Sequence, residues 1–402
     1  MKRREFFSKT ALSALGSIGI ITGSTSLAFS SKQKKDGQLR VKSYRPLGKT
    51  GLKISDIAFG GGALSSAALL ARAVDSGINY VDTAPDYGRS QRMVGAYMKK
   101  ASNKDKLIIA SKFCETSPYP GHLGNLAKSK DYIRSVEQSL KTLNRDYIDI
   151  VFVHAIGEKG KDEENRLLSD EMLNGFNKLK KDGKVRFLGV SSHGPNNMES
   201  LMEKAIDSGY YDLIMPAFNF MKFPKLDRVI KKAYAKNVGI IAMKSLAGGK
   251  HANLKLENET FEVAALKWVL KHKEIAGTVI TMKNYSDIDH YLQASGEKFG
   301  TVSMNILKQY KEQESKKYCR TGCGDCLTGC PLNIDIATIL RYKMYYESYN
   351  EQKRAMVAYS KLAQKANICD DCTTRGCEDL CSYNIPISSL LTEADRNLTF
   401  SA

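Results

Sequence analysis

The sequence predicts an α/β protein, a (β/α)8 TIM barrel followed by a small, mainly α-helical domain. Two observations point there. From Ile54 to Lys283 short apolar runs alternate eight times with amphipathic stretches, and strand–helix repetition over about 240 residues is the pattern of a closed parallel barrel. Eight of the nine cysteines then fall in two tight groups near the C-terminus, which marks a second unit with its own chemistry. An open doubly wound sheet is the competing topology. No G-x-G-x-x-G opens a helix after any strand, however, and Gly60-Gly61-Gly62 lacks that spacing.

The strand candidates, in order, are Ile54–Gly60, Ile78–Thr83, Leu107–Phe113, Ile148–His154, Val185–Ser191, Leu213–Asn219, Gly239–Ser245 and Thr278–Lys283. Each is short and apolar, as strands buried on both faces must be. Between them Leu70–Ser76, Tyr132–Leu143, Met172–Lys181, Met198–Ile206, Leu226–Lys236 and Phe261–Lys271 carry the helical period, with the lone Trp268 on an apolar face and so expected in the core. Ile334–Lys365 reads as two more helices. There Tyr342, Tyr345, Tyr346 and Tyr349 recur at i, i+3, i+4 and i+7, so they share a face that packs inside the small domain or against the larger one.

With 402 residues, 42% apolar and 26% charged, the chain is long enough for a large core without disulfide staples. Its net charge of +18 comes from 61 Lys and Arg against 43 Asp and Glu spread over nearly every segment. That is a solvated lysine-rich surface rather than a basic tail, and no nucleic-acid recognition module accompanies it. The N-terminus reads as an address. Arg3-Arg4 precedes Phe6-Phe7, and Ala11–Phe29 follows without charge, which resembles a twin-arginine export signal with cleavage after Ser30. An uncleaved anchor is the other reading, since the stretch is barely long enough to span. The expected organisation is a signal at 1–30, a linker at 31–43, the barrel at 44–300 and the C-terminal domain at 301–402. The protein is then exported by the twin-arginine machinery to a periplasmic or other extracytoplasmic site.

The cysteine groups are Cys319-x3-Cys323-x2-Cys326-x3-Cys330-Pro331 and Cys369-x2-Cys372-x4-Cys377-x3-Cys381. Both resemble the bacterial ferredoxin run, in which the last cysteine of each run ligates the other cluster. The resemblance implies two 4Fe-4S clusters, one on Cys319, Cys323, Cys326 and Cys381, the other on Cys369, Cys372, Cys377 and Cys330. Two four-thiolate groups also suit tetrahedral zinc, and export also admits disulfides. This sequence departs from the usual run by a longer first gap, a widened second gap in the second run and Ser382 in place of proline. The ninth cysteine, Cys114, reads as a small buried residue.

Barrel enzymes place their chemistry at the C-terminal ends of strands. Asp82 and Tyr87 follow the second strand, Lys112 ends the third and His154 the fourth. Together they form an acid–base device: a lysine ammonium beside a phenol favours the phenolate, a carboxylate keeps the lysine charged, and histidine orients the oxygen that gains or loses a proton. The segments Tyr44–Leu52, Asp82-Thr83-Ala84 with Tyr87-Gly88, Tyr147–Ile150 leading to His154, and Gly189–Ser192 resemble the aldo/keto reductase family over roughly Tyr44–Ala294. The cysteine domain resembles an extension found in one branch of that family. This resemblance implies Tyr87 as general acid–base, Lys112 and Asp82 as its tuning pair, His154 as carbonyl orienter, and a hairpin over Tyr44–Lys53 plugging the barrel floor.

It also implies NAD(P), held by Ser191 and Ser192 after the fifth strand, with Lys244 and Lys283 meeting phosphates. The match is thinner here: Met215 stands where a glutamine is common, Met243-Lys244-Ser245-Leu246 lacks the ring-stacking aromatic, and Thr281–Asn284 lacks the usual Pro-Gly. By position, His193, Phe218, Asn219 and Phe220 border the rim, and Tyr119-Pro120 with His122 in the long third loop cover it. The expected substrate is a small carbonyl compound or secondary alcohol, including sugars. Nicotinamide carries hydride whereas a 4Fe-4S cluster moves single electrons, and no flavin motif converts between them. Three readings follow: the clusters are structural or docking elements, they serve a redox partner protein, or the cofactor is not nicotinamide. An electron-transfer or redox-sensing protein with a non-catalytic barrel, and a non-redox lyase or isomerase, are the alternative functions.

Overall fold

The computed structural model describes residues 38–400, apart from 103, 117–118, 158–162, 194–196, 222–225, 250–252 and 321–322. The expected export signal and most of the linker lie outside the described residues. In chain order the strands are β1 (Tyr44–Pro46), β2 (Lys53–Ser55), β3 (Ile57–Gly60), β4 (Tyr80–Asp82), β5 (Ile108–Lys112), β6 (Ile148–Val153), β7 (Val185–Ser192), β8 (Leu213–Pro216), β9 (Gly239–Ala242), β10 (Lys255–Leu256), β11 (Glu259–Thr260) and β12 (Gly277–Thr281). The helices are α1 (Ala67–Asp75), α2 (Ser90–Lys100), α3 (Ser129–Leu143), α4 (Glu163–Leu167), α5 (Asp170–Lys181), α6 (Met198–Ser208), α7 (Leu226–Ala235), α8 (Phe261–Leu270), α9 (Tyr285–Leu292), α10 (Thr301–Glu314), α11 (Ile336–Glu347), α12 (Gln352–Ser360), α13 (Gly376–Asp379) and α14 (Ile387–Leu398).

Eight parallel strands close in the order β12-β3-β4-β5-β6-β7-β8-β9, and a helix follows every one of them, so the architecture is the (β/α)8 barrel. A parallel strand needs a crossover, and each amphipathic helix supplies it while burying its apolar stripe on the sheet's outer face. Helix α3 shows how: Tyr132, Val136, Leu140 and Leu143 recur at helical spacing, and all four are buried in the core between strands and helices.

Most of the expected strands are shorter in the structure, two of them for evident local reasons. Ile54–Gly60 is divided at Asp56, a buried carboxylate that accepts from Ser295 Oγ (2.6 Å), Gly296 N (2.8 Å) and Ile57 N (2.9 Å). That corner gives β2 to a hairpin and β3 to the barrel. The run from Gly239 stops at Ala242 because Lys244 takes a left-handed φ of 57°, which a continuing strand does not allow.

The hairpin β1–β2 pairs Tyr44 with Ser55 and Pro46 with Lys53. It carries Leu47 to the bottom of the barrel, where the side chain is buried with Ile54, Leu213 and Ile241. Glycine is required opposite: a Cβ on Gly239 would lie 2.8 Å from Leu47 Cδ1. This plug is the floor under the site.

Helix α10 belongs to the barrel's packing. Ile306, Leu307 and Tyr310 join the large core, and Tyr310 stacks on Phe261 with ring centroids 4.2 Å apart. After it, α11, α12 and α14 enclose a separate apolar core built on Ile336, Ile339, Tyr345, Tyr359, Ile387 and Leu391. No strand occurs there among the described residues.

Replacing Leu47 by Ala opens the floor against rigid strand backbone. We expect a loss of about 2–5 kcal/mol, the range for buried leucines, read as a lowered urea midpoint of the purified chain.

Candidate active site

A cavity of about 140 Å3 opens at the C-terminal ends of the strands. Its wall includes Asp82, Tyr87, Lys112 and His154 from the barrel, and Tyr345, Tyr349, Glu351 and Arg354 from the C-terminal domain. The four rim residues expected from sequence are thus brought together, and a second domain covers them.

Lys112 is 2% exposed, and its Nζ donates to Asp82 Oδ1 (2.5 Å) and to the Thr83 carbonyl (3.1 Å). Burial raises the Asp82 carboxyl above its ordinary range and the Lys112 charge works against that. Removing either partner of such a pair leaves an uncompensated buried charge, at a cost of about 3–5 kcal/mol. Tyr87 presents its phenol to His154, Oη to Nε2 at 3.3 Å, while Lys112 Nζ stands over the Tyr87 ring at 5.0 Å. Lysine was expected to favour the phenolate. Instead the Tyr87 phenol lies well above its usual range, first through burial, then through the Asp82 and Asp86 carboxylates, with Arg354 opposing. The ammonium is spent on Asp82, so the phenol keeps its proton.

His154 is fixed on both nitrogens. Nδ1 lies 3.0 Å from Cys114 Sγ and 3.8 Å from Asp86 Oδ2. Burial, then Asp86, pushes the Cys114 thiol well above its usual range, and on the other side of the ring Nε2 faces the Tyr87 oxygen. Cys114 is buried, as the sequence suggested, yet it is also a partner of the rim histidine. The loop bearing it folds back so that Cys114 bridges His122, and His122 packs edge-on to His154 with ring centroids 4.3 Å apart. His122 and Tyr119 therefore wall the site from behind His154, and Tyr119 lines the cavity itself.

The residues expected to hold a dinucleotide separate. Ser191 lines the cavity, and its Oγ accepts from Ala155 N at 3.0 Å. Ser192 turns away, donating to the Ile156 carbonyl at 2.8 Å. Lys244 lines the cavity, and its Nζ bonds the Tyr345 phenol at 2.9 Å and stands 4.5 Å from that ring's centroid. Lys283 lies outside, reaching the Tyr349 carbonyl at 3.1 Å. Gly60, Met215, Met243, Ser245 and Thr281 complete the wall on that side. His193 also lines the cavity and takes a bond from Arg341 Nη1 of α11 at 3.0 Å.

Three cavity residues escaped the sequence reading: Arg354, Glu351 and Asp86 just behind. Arg354 pairs with Glu351 at 2.7 Å and lies 4.5 Å from the Tyr119 ring. Nothing local in the sequence marks it. The tyrosine stripe did carry a signal, since Tyr345 and Tyr349 stack (5.8 Å) and face the barrel. Burial raises the Tyr345 phenol, but Lys244, Arg341 and Arg354 outweigh it and the net direction is down.

All nine cysteines are free. One void is lined by Cys319, Cys323, Cys326 and Cys381, the other by Cys330, Cys369, Cys372 and Cys377. Three sulfurs come from one run and the fourth from the other. In a zinc site four thiolates lie roughly 3.8 Å apart. Among the described residues the one ligand set drawn within 4.8 Å is Asp86, His122 and His154, so the quartets are spread more widely than zinc requires.

The aldo/keto reductase family model matches residues 61–262. The chain belongs to the aldo/keto reductase family. It is an oxidoreductase of that type. It is 25% identical over 295 residues to L-galactose dehydrogenase of Arabidopsis thaliana, covering 63% of this chain and 88% of that one. L-glyceraldehyde 3-phosphate reductase of Escherichia coli is 27% identical over 222 residues, 51% of this chain and 62% of the relative. Among solved structures, the aldo-keto reductase AKR11C1 of Bacillus halodurans in its holo form superposes with a TM-score of 0.54 over 66% of this chain and 95% of that one, at 20% identity. It shares the fold.

His154 is buried and faced by His122, Lys112, His193, Arg166 and the Asp86 carboxylate, and its value lies well below the ordinary imidazole range, first through burial and then through those cationic neighbours. As pH falls below about 6.5 the unfolded chain takes up this proton before the folded one does. Stability is therefore full above that pH and drops on acidification, by up to about 1.4 kcal/mol per unit. In urea titrations between pH 7 and 5, His154→Gln should flatten this part of the decline.

Proposed function

We propose that this aldo/keto reductase acts on a small carbonyl compound or secondary alcohol, with Tyr87 moving the proton. The observation that carries the reading is the Tyr87 phenol 3.3 Å from His154 Nε2 inside the covered cavity. A carbonyl oxygen seated beside both accepts the His154 Nε2 hydrogen bond and receives the phenolic proton; in the reverse direction the phenolate recovers it. Lys112 and Asp82 neutralise one another beside the Tyr87 ring. NAD(P), when bound, supplies or takes the hydride. Ser191 and Lys244 are the residues of this chain that would hold it, and Lys244 must then share its ammonium between Tyr345 and a phosphate. Two relatives are named for L-galactose and L-glyceraldehyde 3-phosphate, which supports a sugar or sugar-like substrate.

The cysteine voids support two 4Fe-4S clusters, one on Cys319, Cys323, Cys326 and Cys381 and the other on Cys330, Cys369, Cys372 and Cys377. Such clusters move single electrons. The arginine pair and apolar stretch at the N-terminus support twin-arginine export of the folded protein to an extracytoplasmic compartment, with a redox partner protein there for the clusters.

Tyr87→Phe should lower turnover of a carbonyl substrate by roughly 10²–10⁴-fold while iron content and circular dichroism stay as in the wild type. Retained turnover would refute the role given to Tyr87; an unreactive wild type with reversible one-electron reduction would favour an electron-transfer protein instead. The crossed quartets make a separate prediction. Cys330→Ser should disturb the electron paramagnetic resonance of the cluster on Cys369, Cys372 and Cys377 and spare the other, and Cys381→Ser should do the reverse.

A further inference from the structure

The cavity holds two tyrosines with a lysine beside each, and the two pairs are built differently. On the barrel side Lys112 Nζ spends its hydrogen bonds on Asp82 and the Thr83 carbonyl and only overlies the Tyr87 ring, 5.0 Å from its centroid. On the side of the C-terminal domain Lys244 Nζ lies 2.9 Å from the Tyr345 oxygen itself and 4.5 Å from that ring's centroid. Among the described residues Lys244 has no carboxylate partner. Both members of this second pair line the cavity. Tyr345 is held firmly there: its ring stacks on Tyr349 with centroids 5.8 Å apart, Arg354 Cζ stands 5.3 Å from its centroid, and its backbone carbonyl accepts from Glu351 N at 3.0 Å.

The charges that face this phenol come from three elements. Lys244 follows β9, Arg341 lies on α11 with Tyr345, and Arg354 belongs to α12. The carboxylate beside them, Glu351, is paired with Arg354 at 2.7 Å, and Tyr342 and Tyr349 are the neighbouring phenols. A phenolate enclosed alone would be costly, but here three cations favour it. Tyr345 is accordingly drawn down where Tyr87 is pushed up. Like groups whose surroundings push them apart in one cavity divide into an acid and a base.

We propose that Lys244 and Tyr345 form a second proton-transfer pair, which removes the hydrogen from the carbon beside a bound carbonyl, so that the protein enolises small aldehydes and ketones as well as exchanging hydride with them. Tyr345 Oη takes the hydrogen; the C–H electron pair becomes the second bond of a C=C, and the carbonyl π pair passes to oxygen, which takes the Tyr87 proton. Both protons return when the carbonyl is restored, and a proton returned to the opposite face of the carbon inverts it. Nothing is oxidised or reduced, and no other reactant enters. Tyr345 is the base, and Lys244 is a positioning residue that holds the phenol and favours its ionised form. The step rests on the carbonyl seat proposed at Tyr87 and His154.

The test uses the full chain, purified anaerobically with its iron, in deuterium oxide with glyceraldehyde and no nicotinamide. Deuterium entering the carbon beside the aldehyde is followed by nuclear magnetic resonance against a protein-free blank. The wild type should catalyse this exchange, and Tyr345→Phe, which keeps the ring, should slow it by roughly 10²–10⁴-fold at unchanged iron content and circular dichroism. Lys244→Met keeps the phenol and removes the ammonium. In ultraviolet difference spectra against Tyr345→Phe, the wild type should show tyrosinate forming below the ordinary value of about 10, and Lys244→Met should move that titration upward. Exchange by Tyr345→Phe equal to the wild type overturns the proposal, as does a tyrosinate titration that is the same with and without Lys244. Reduction of glyceraldehyde with NAD(P)H is scored separately. A wild type that reduces the aldehyde without exchanging its hydrogen overturns the second pair alone, whereas one that does neither overturns the carbonyl seat and enolisation with it.

Discussion

Closure of the sheet between β12 and β3, with Thr278 beside Ile57 and Thr281 beside Gly60, is the constraint on which the rest of the molecule depends. Once closed, the register is propagated strand by strand: Gly60 beside Asp82, Asp82 beside Ala110, Lys112 beside Phe152, Val153 beside Val190, Ser191 beside Met215. Residues far apart in sequence therefore reach one rim at nearly one height. A slip by one residue would turn each side chain to the other face of its strand. The Leu47 plug and the Asp56 corner secure the lower end of the same barrel.

At the rim, electrostatics decides which group holds a proton. Asp82 and Lys112 neutralise one another, and neither is left to ionise Tyr87. Across the cavity Lys244 faces Tyr345 with no carboxylate between them, and there the phenol is drawn the other way. Two tyrosines of one cavity are thus pushed in opposite directions by their surroundings. The surroundings, and not the residue type, set the two directions. The left-handed backbone of Lys244, two residues past β9, is part of these surroundings, because this residue reaches Tyr345 of α11.

The barrel was legible because eight apolar runs and their helices repeat a period that only a few topologies satisfy. The rim residues were legible because they follow those runs directly. What escaped is what depends on contacts between distant segments. Arg354 sits in a helix with no local mark, and its place in the cavity follows from the docking of the C-terminal domain. Cys114 read as filler, since its bond to His154 requires the β5 and β6 ends to be neighbours. The direction of the Tyr87 shift was misread for a similar reason: sequence puts a lysine near the phenol but does not show that a carboxylate has already claimed it.

Helix α11 joins the two chemistries of the chain. Ile336, Ala337 and Leu340 line the void of Cys319, Cys323, Cys326 and Cys381, Arg341 bonds His193, and Tyr345 covers the substrate cavity. From Leu340 to Tyr345 the helix rises only about 7–8 Å. A charge gained or lost at the first quartet lies close to the Arg341 guanidinium, whose positive field already lowers the Cys319 thiol against the effect of burial and the Tyr345 phenol as well. The same cation thus acts on a sulfur of the quartet and on a phenol that lines the cavity. The C-terminal domain is accordingly a wall of the cavity, and α11 places one guanidinium beside both the first cysteine quartet and that wall.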